Sequence, residues 1–176
     1  MNKSIWAAIA ALLVAWAWLA PIAVADYSQD DFQQLLESRI CSECYLVGSD
    51  LTEADLMGAD LSDSDLRVAD LTNAILSNAT LHLTNFSGGY LSDTDLSHSD
   101  LTEAYLRLAD LRGADLSYSD LSGAYLRLAD LSNANLKGTD LSYANFSGVE
   151  LHAADLSQAK FCHTFMPDGS EKNDDC

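Results

Sequence analysis

Residues 104–111 read Ala104-Tyr105-Leu106-Arg107-Leu108-Ala109-Asp110-Leu111, and residues 124–131 repeat the same eight amino acids 20 positions later. A related stretch, Ser64-Asp65-Leu66-Arg67-Val68-Ala69-Asp70-Leu71, lies 40 positions before the first copy. Repeats at multiples of a fixed length are typical of solenoids, in which each coil places equivalent residues above those of the coil below. The spacing therefore predicts a coil of 20 residues.

A shorter repeat of five residues runs through the same region. Every fifth residue from position 46 to position 161 is Leu or Phe, at 24 positions of 24. Two residues before each of them stands a small side chain, usually Ala, Ser or Thr, and the residue between is most often Asp or Asn. A period of five fits neither the roughly 3.6-residue period of a helix nor the alternation of a flat strand, so it favours a solenoid.

The repeat Ala-(Asp/Asn)-Leu-x-x resembles the signature of the pentapeptide-repeat family, as in Ala54-Asp55-Leu56-Met57-Gly58 and Ala114-Asp115-Leu116-Ser117-Tyr118. The resemblance covers residues 44 to about 163. It implies an all-β fold, a right-handed quadrilateral β-helix in which four pentads make one coil and the Leu or Phe and the small residue point inward. The 24 pentads then make about six coils, and at a strand spacing of about 4.8 Å these stack to roughly 29 Å.

Four segments are expected: a signal peptide at residues 1–25, an N-terminal cap with a Cys-x-x-Cys segment at 26–43, the β-helix at 44–163, and a C-terminal cap with a loose tail at 164–176. The first segment has Lys3, an apolar run at residues 5–20 and the small residues Ala23-Val24-Ala25, typical of a cleaved signal. An uncleaved anchor is the alternative, but this run is shorter than the about 20 apolar residues that span a bilayer. We therefore expect an exported protein that begins at Asp26 and has no stable membrane insertion after cleavage.

A short amphipathic helix is predicted at residues 30 to about 39. Ser28-Gln29-Asp30-Asp31 is a capping-box pattern. The apolar residues that follow at helical spacing are Phe32, Leu35, Leu36 and Ile40. We expect this apolar stripe to cover the first coil.

Four cysteines allow three pairings, and export makes disulfides permissible. Cys41 and Cys44 lie at the start of the repeats, whereas Cys162 and Cys176 lie at the far end of a rod of roughly 29 Å. The local pairs Cys41–Cys44 and Cys162–Cys176 are therefore expected. The spacing of the first pair also fits a redox motif or half of a zinc site, but a structural zinc needs about four ligands. An unpaired Cys176, or one paired between chains, stays an alternative.

Charge and histidine placement limit the chemistry. The formal net charge of −18 argues against nucleic acid or an anionic membrane as a direct partner, and leaves cationic partners and mimicry of DNA open. On a 20-residue coil His82 and His152 lie on opposite faces, His98 lies on a third, and His163 falls beyond the last pentad. No acid/base or metal constellation is predicted, so we expect no enzyme activity, no metal site and no cofactor.

One predicted face carries a column of acids: Asp50, Asp70, Asp110, Asp130 and Glu150. Two interpretations stay open. The carboxylates accept hydrogen bonds from backbone amides at the corners, which we favour, or they bind a divalent cation.

Another predicted face combines basic, aromatic and aliphatic side chains. We call seven of its residues the candidate interaction patch: Arg67, Tyr105, Arg107, Leu108, Tyr125, Arg127 and Leu128. Val68 is also expected to point outward there. Tyr, Arg and exposed Leu together are typical of protein interfaces. The alternative is a self-supporting ladder in which the arginines pair with Asp70, Asp110 and Asp130.

The two ends resemble those of exported cyanobacterial and chloroplast members of the family. They are Cys41-Ser42-Glu43-Cys44 and Cys162-His163-Thr164-Phe165-Met166-Pro167-Asp168-Gly169. The resemblance implies a non-catalytic structural or protein-interaction module of the thylakoid lumen or periplasm, a monomer or weak dimer with an unknown protein partner. The alternative is an acidic DNA-mimic inhibitor of gyrase, as in other family members, which export and the arginine column oppose. A thiol oxidoreductase would rest on Cys41 and Cys44 alone.

Overall fold

The computed structural model describes residues 27–176, so the predicted signal peptide lies outside the described residues. In this part of the chain one helix, α1 (Gln29–Ser38), precedes the solenoid. A hairpin of two short antiparallel strands, β1 (Thr164–Phe165) and β2 (Glu171–Lys172), follows the solenoid. Among the described residues no helix is long and apolar enough to cross a membrane.

Single parallel bridges, one every five residues, build the solenoid. Each joins a residue to the one 20 positions further on, and we call residues related by this step a column. One column climbs six coils: Ile40, Asp60, Thr80, Asp100, Asp120, Asp140 and Lys160. Backbone hydrogen bonds run between neighbouring coils, as where Leu106 N donates to the Tyr125 carbonyl at 2.9 Å. The 20-residue coil with four bridged positions agrees with the solenoid that the repeat predicts.

A tight turn ends each side of the coil. The second residue after each inward Leu or Phe has a positive φ, as at Leu108 (60°) and Leu128 (63°). The next amide then donates back to the carbonyl of the inward residue, as from Ala109 N to Leu106 O at 3.1 Å. Positive φ disfavours most side chains other than Gly, Asn and Asp. Gly, Asn and Asp are therefore frequent at this position, because the turn requires a positive φ there.

The interior is a stack of Leu and Phe side chains. Those at every fifth position from 46 to 146 are at most 2% exposed, and each such burial is worth about 1.5–3 kcal/mol. Leu151 and Leu156, in the last coil, are only partly buried. Inward threonine hydroxyls each donate to a carbonyl 23 residues earlier at 2.8 Å: Thr84, Thr94, Thr139 and Thr164. The inward assignment of the Leu and Phe residues is thereby confirmed.

The N-terminal helix α1 has well-defined ends. Ser28 is its N-cap and accepts a hydrogen bond from Asp31 N at 3.2 Å. Arg39 ends it in the left-handed conformation, with a φ of 58°. The helix therefore begins and ends one residue before the predicted bounds.

The predicted apolar stripe of α1 is only half correct. Leu35 is fully buried, and Phe32 packs against the core. Leu36 and Ile40 are exposed. Leu36 lies about 100° round the helix from Leu35, on the solvent side. Ile40 already occupies the outward position of the first bridged column.

The C-terminal residues are fixed to the last coil, which corrects the expectation of a loose tail. Phe161 N donates to the Asp175 carboxylate, and Asp175 N donates to the Phe161 carbonyl, both at 2.9 Å. Lys172 Nζ lies 3.5 Å from the centre of the Phe161 ring. A solenoid end that is not covered leaves apolar side chains and backbone groups in water, so the tail has a surface to bind.

Two disulfides lie at the two ends of the solenoid. They join Cys41 to Cys44 and Cys162 to Cys176, which are the pairs expected from the sequence. No cysteine of residues 27–176 is free.

Candidate interaction surface

Outward carboxylates and amides support the backbone of the turns. The Asp100 carboxylate accepts from Thr102 N at 3.0 Å and from Thr102 Oγ1 at 2.7 Å. Sixteen other side chains accept from the amide two residues later: Asp50, Asp55, Asp60, Asp65, Asp70, Asn85, Asp95, Asp110, Asp115, Asp120, Asp130, Asn135, Asp140, Asn145, Asp155 and Asp168. Asp50, Asp70, Asp110 and Asp130 of the acidic column make this contact, as in the favoured interpretation. Cation binding by the column stays a hypothesis.

Hydrogen bonds from the turns lower the pKa of several carboxyls. For Asp50 and Asp60 the largest cause is the hydroxyl of the residue two positions later. For Asp110 the largest cause is the Arg112 side chain, whose guanidinium donates to the carboxylate. A lowered pKa keeps these three groups ionised at a more acidic pH than an ordinary carboxyl, and each adds a negative charge to its outward column.

Six of the seven residues of the candidate interaction patch lie together on two adjacent coils. Tyr105 and Tyr125 are bridged neighbours, with ring centroids 5.1 Å apart and planes 8° from parallel. They are 40% and 47% exposed, and Leu108 and Leu128 at the following corner are 50% and 44% exposed. Arg107 and Arg127 lie between these two columns and are also exposed.

Arg67 is separated from the rest of the patch. It lies two coils from Arg107, a distance of about 10 Å along the rod, and Ser87 occupies its column between them. Its guanidinium pairs with Asp65, with Nη2 2.7 Å from Oδ2 and Nε 2.8 Å from Oδ1. Arg67 therefore belongs to a local ion pair, and the compact patch consists of the other six residues.

The alternative of a ladder that pairs Arg67, Arg107 and Arg127 with Asp70, Asp110 and Asp130 does not agree with the structure. Asp110 pairs with Arg112 at 2.6 Å, and Arg112 Nε lies 3.9 Å from Asp130. Within residues 27–176 neither Arg107 nor Arg127 forms an ion pair or a side-chain hydrogen bond. The corner at Leu108 and Leu128 puts the acidic column on the next face, which explains the missing contact.

The histidines have separate surroundings. His82 Nδ1 lies 2.7 Å from Thr102 Oγ1, His98 stacks on Tyr118, and His163 Nδ1 lies 2.6 Å from Glu171. Among the described residues, one group brings three metal-ligand side chains within 4.8 Å: Cys162, His163 and Cys176. Its two sulfurs are joined in a disulfide, so they offer no thiolate ligand.

Comparisons with solved structures give several similar proteins. A pentapeptide repeat protein from the Arabidopsis thaliana thylakoid lumen is 25% identical, covering 58% of this chain and 67% of that chain, with a TM-score of 0.45. The pentapeptide repeat protein Rfr23 from the cyanobacterium Cyanothece is 28% identical, covering 74% and 92%, with a TM-score of 0.37. QnrB1, a plasmid-mediated fluoroquinolone resistance protein, is 19% identical, covering 69% and 79%, with a TM-score of 0.30. A comparison with curated proteins finds no match.

A family model decides the classification. The model described as pentapeptide repeats matches eight copies, within residues 41–73, 49–88, 90–127 and 129–166. These matches cover more than half of the chain and coincide with the bridged coils. The family fold is a right-handed β-helix solenoid. The chain belongs to the pentapeptide-repeat family.

Proposed function

We propose that the protein is an exported, non-catalytic interaction module that binds a protein partner through the compact patch. The observation that carries this proposal is the state of Arg107 and Arg127. Both are exposed, and neither has a side-chain partner within residues 27–176. They lie between a stacked tyrosine pair and two exposed leucines. Tyrosine and arginine are the residues that most often dominate interface energetics.

The column that contains Leu108 and Leu128 supports a functional role. Its six members are Gly48, Val68, Gly88, Leu108, Leu128 and Gly148, all with positive φ. An L-residue in this conformation costs about 1–2 kcal/mol, which glycine avoids. Leucine at a strained, half-exposed corner therefore lowers stability, and local choices that oppose stability are typical of functional sites.

Export to the thylakoid lumen or periplasm is part of the proposal. The signal pattern of residues 1–25 supports it. Two disulfides at the ends of the rod also support it, because disulfides persist in oxidising compartments and are rare in the cytosol.

The first test is fractionation of native cells with mass spectrometry of the mature amino terminus. We expect a protein that begins near Asp26 in the lumen or periplasm. A cytoplasmic protein that retains Met1 would overturn the proposed compartment.

The second test is cross-linking and affinity capture from that fraction, with the parent and the double variant Arg107→Ala/Arg127→Ala. The control is Arg112→Ala/Lys137→Ala, which removes two cations from other faces. A partner held by the parent and the control, but lost by the double variant, supports the patch. Equal capture by all three proteins contradicts it.

The acidic columns favour a second candidate, a DNA-mimic inhibitor of gyrase. Its observation is the continuous run of acidic side chains from Asp110 through Asp130 to Glu150, one per coil. A DNA supercoiling assay tests it directly. Inhibition that falls in Asp110→Asn/Asp130→Asn would support mimicry, whereas unchanged supercoiling would eliminate it.

A further inference from the structure

A cleft of about 460 Å³ opens on the edge of the rod beside the patch. Its walls include Glu103, Tyr125 and Tyr143, and its floor includes Ser122 and Gly123. Gly123 creates the opening because it stands in a corner column between Glu103, one coil below, and Tyr143, one coil above. The absent side chain leaves a gap two coils high between a carboxylate and an aromatic ring.

The polar groups of the floor are already engaged. Ser122 Oγ donates to the Asp120 carboxylate. Thr102 Oγ1 donates to Asp100 at 2.7 Å and also contacts His82 Nδ1 at 2.7 Å. The hydroxyls and the imidazole are therefore not the main recognition elements of the cleft.

Glu103 is the charged group that lacks a partner here. It is exposed, and it forms no ion pair or side-chain hydrogen bond with any residue of the described part. Most other outward carboxylates serve a turn amide, but Glu103 is itself the corner residue, with a φ of 56°. Its carboxylate is free to accept hydrogen bonds from outside the molecule.

The two aromatic rings of the cleft are held in place by neighbours. Tyr125 stacks on Tyr105, and Tyr143 stacks on the imidazole of His163 with centroids 5.2 Å apart. Tyr143 is nevertheless 62% exposed. Fixed, accessible tyrosine rings attract cations, because the negative face of the ring quadrupole faces the charge.

We propose that this cleft binds a basic side chain, preferably arginine, of a protein partner. Glu103 supplies a carboxylate that a guanidinium can meet with two hydrogen bonds. Tyr125 and Tyr143 supply rings for the planar cation to stack against, which an ammonium does less well. The net charge of −18 adds long-range attraction for a cationic segment. The site shares Tyr125 with the patch but does not use Arg107 or Arg127, so the loss of either arginine leaves the cleft intact.

The test titrates the exported, disulfide-bonded protein with the peptide acetyl-Gly-Ser-Arg-Ser-Gly-amide at low salt. The matched probe replaces arginine by citrulline, which has almost the same shape and no charge. Proton NMR of the peptide is expected to show a saturable upfield shift of the arginine side-chain CH₂ groups, caused by the tyrosine rings, with a Kd on the order of 1 mM. The citrulline peptide is expected to bind at least about fivefold more weakly.

Matched charge variants separate the cleft from the overall charge. Glu103→Gln is expected to weaken arginine-peptide binding about tenfold. Glu53→Gln removes the same charge from an exposed corner on another face, and less than about a twofold change is expected at the screened distance. Equal weakening by the two variants would show that only the general negative charge of the rod attracts the peptide, and would overturn the proposal.

A steric variant tests the gap itself. Gly123→Asn places a side chain in the cleft, where a Cβ would already lie 3.2 Å from Glu103 Cγ. Asparagine occupies equivalent corners with positive φ at Asn73, Asn78 and Asn133, so the fold is expected to persist. The control is Gly58→Asn, where nothing lies within 4 Å. The site is supported if Gly123→Asn loses the saturable shift and Gly58→Asn keeps it. The proposal is overturned if Gly123→Asn keeps the shift, or if the parent protein shows none.

Discussion

Residues 104–111 and 124–131 have the same sequence and the same place in successive coils, yet they differ at the surface. Their backbones match: Leu106 N and Leu126 N donate to the next coil at 2.9 and 3.0 Å, and Leu108 and Leu128 have φ of 60° and 63°. Both inward leucines are fully buried. Asp110 holds the guanidinium of Arg112, whereas Asp130 is followed by Ser132. The octapeptide therefore determines the backbone geometry and the buried leucines. The residues that flank it determine the ion pairs at the surface.

The largest expected effect tests the equivalence of the two interiors. Leu106→Asp and Leu126→Asp each place an unpaired charge in the core, and each is expected to cost at least about 4 kcal/mol. Thermal unfolding followed by circular dichroism should show loss of the cooperative transition in both. The control is Leu128→Asp at an exposed corner, where Asp tolerates positive φ and little change is expected. A parent-like melting curve for either core variant would contradict the inward assignment.

The tyrosine pair joins the two octapeptides and should give the next largest effect. A double-mutant cycle on Tyr105→Ala and Tyr125→Ala is expected to yield a coupling free energy of about 0.5–1.5 kcal/mol, as for other aromatic pairs. The measurement is chemical denaturation of the four proteins. The matched cycle pairs Tyr105 with Tyr143, whose coupling should be close to zero. Equal coupling in both cycles would show that the stack contributes nothing specific.

The Asp110 pair should make the two copies differ in their dependence on pH. The pKa of Asp110 is lowered, chiefly by the Arg112 hydrogen bond, so its contribution is complete above the unfolded value of about 3.9 and is lost as the pH falls through the folded value. Asp110→Asn keeps the turn hydrogen bond, as Asn85 and Asn145 show. We expect a small destabilisation at pH 7 that shrinks towards pH 3.

Asp130→Asn is the control for that experiment, because residue 132 is serine and only the longer 3.9 Å contact with Arg112 Nε is lost. Its cost at pH 7 should be smaller than that of Asp110→Asn. Denaturation curves at pH 7 and pH 3 for the parent and both variants provide the measurement. Identical losses at both pH values for Asp110→Asn would contradict the role of the ion pair.

The smallest expected effect concerns the arginines. Arg107→Ala/Arg127→Ala should change the free energy of unfolding by less than about 0.5 kcal/mol, because neither side chain forms an ion pair with any residue from 27 to 176. The change in melting temperature checks this expectation. A clear loss of stability would show that the two arginines support the fold, which would weaken the proposed role of the patch.

The fold could be predicted from the sequence because its period is explicit. A strict five-residue repeat and an octapeptide copied 20 positions later define the coil, and every outward residue can be assigned to a column. Column membership, however, does not say which neighbour a long side chain turns to. Arg67 pairs with Asp65 of its own pentad. The assignment of residues to columns does not predict such a pair, because the two residues lie in different columns.

Features without a period were predicted less well. The tail at residues 170–176 has no repeat, so its contacts with Phe161 depend on the apolar end of the last coil. The cleft depends on a side chain that is missing. Its signal in the sequence is the column Leu83, Glu103, Gly123, Tyr143 and His163, where the smallest residue lies between two large ones.

The exact match of residues 104–111 with 124–131 also bears on how such a gene changes length. Deleting codons 105–124 would join Ala104 to Tyr125 and leave one intact copy of the octapeptide, with no foreign junction. The product would be one coil shorter, by about 4.8 Å, with all columns still aligned. Loss or gain of any number of codons that is not a multiple of 20 would move every later side chain to another column. The fold therefore tolerates unequal recombination that adds or removes whole coils. The distance between the two capped ends can then change only in steps of one coil, about 4.8 Å.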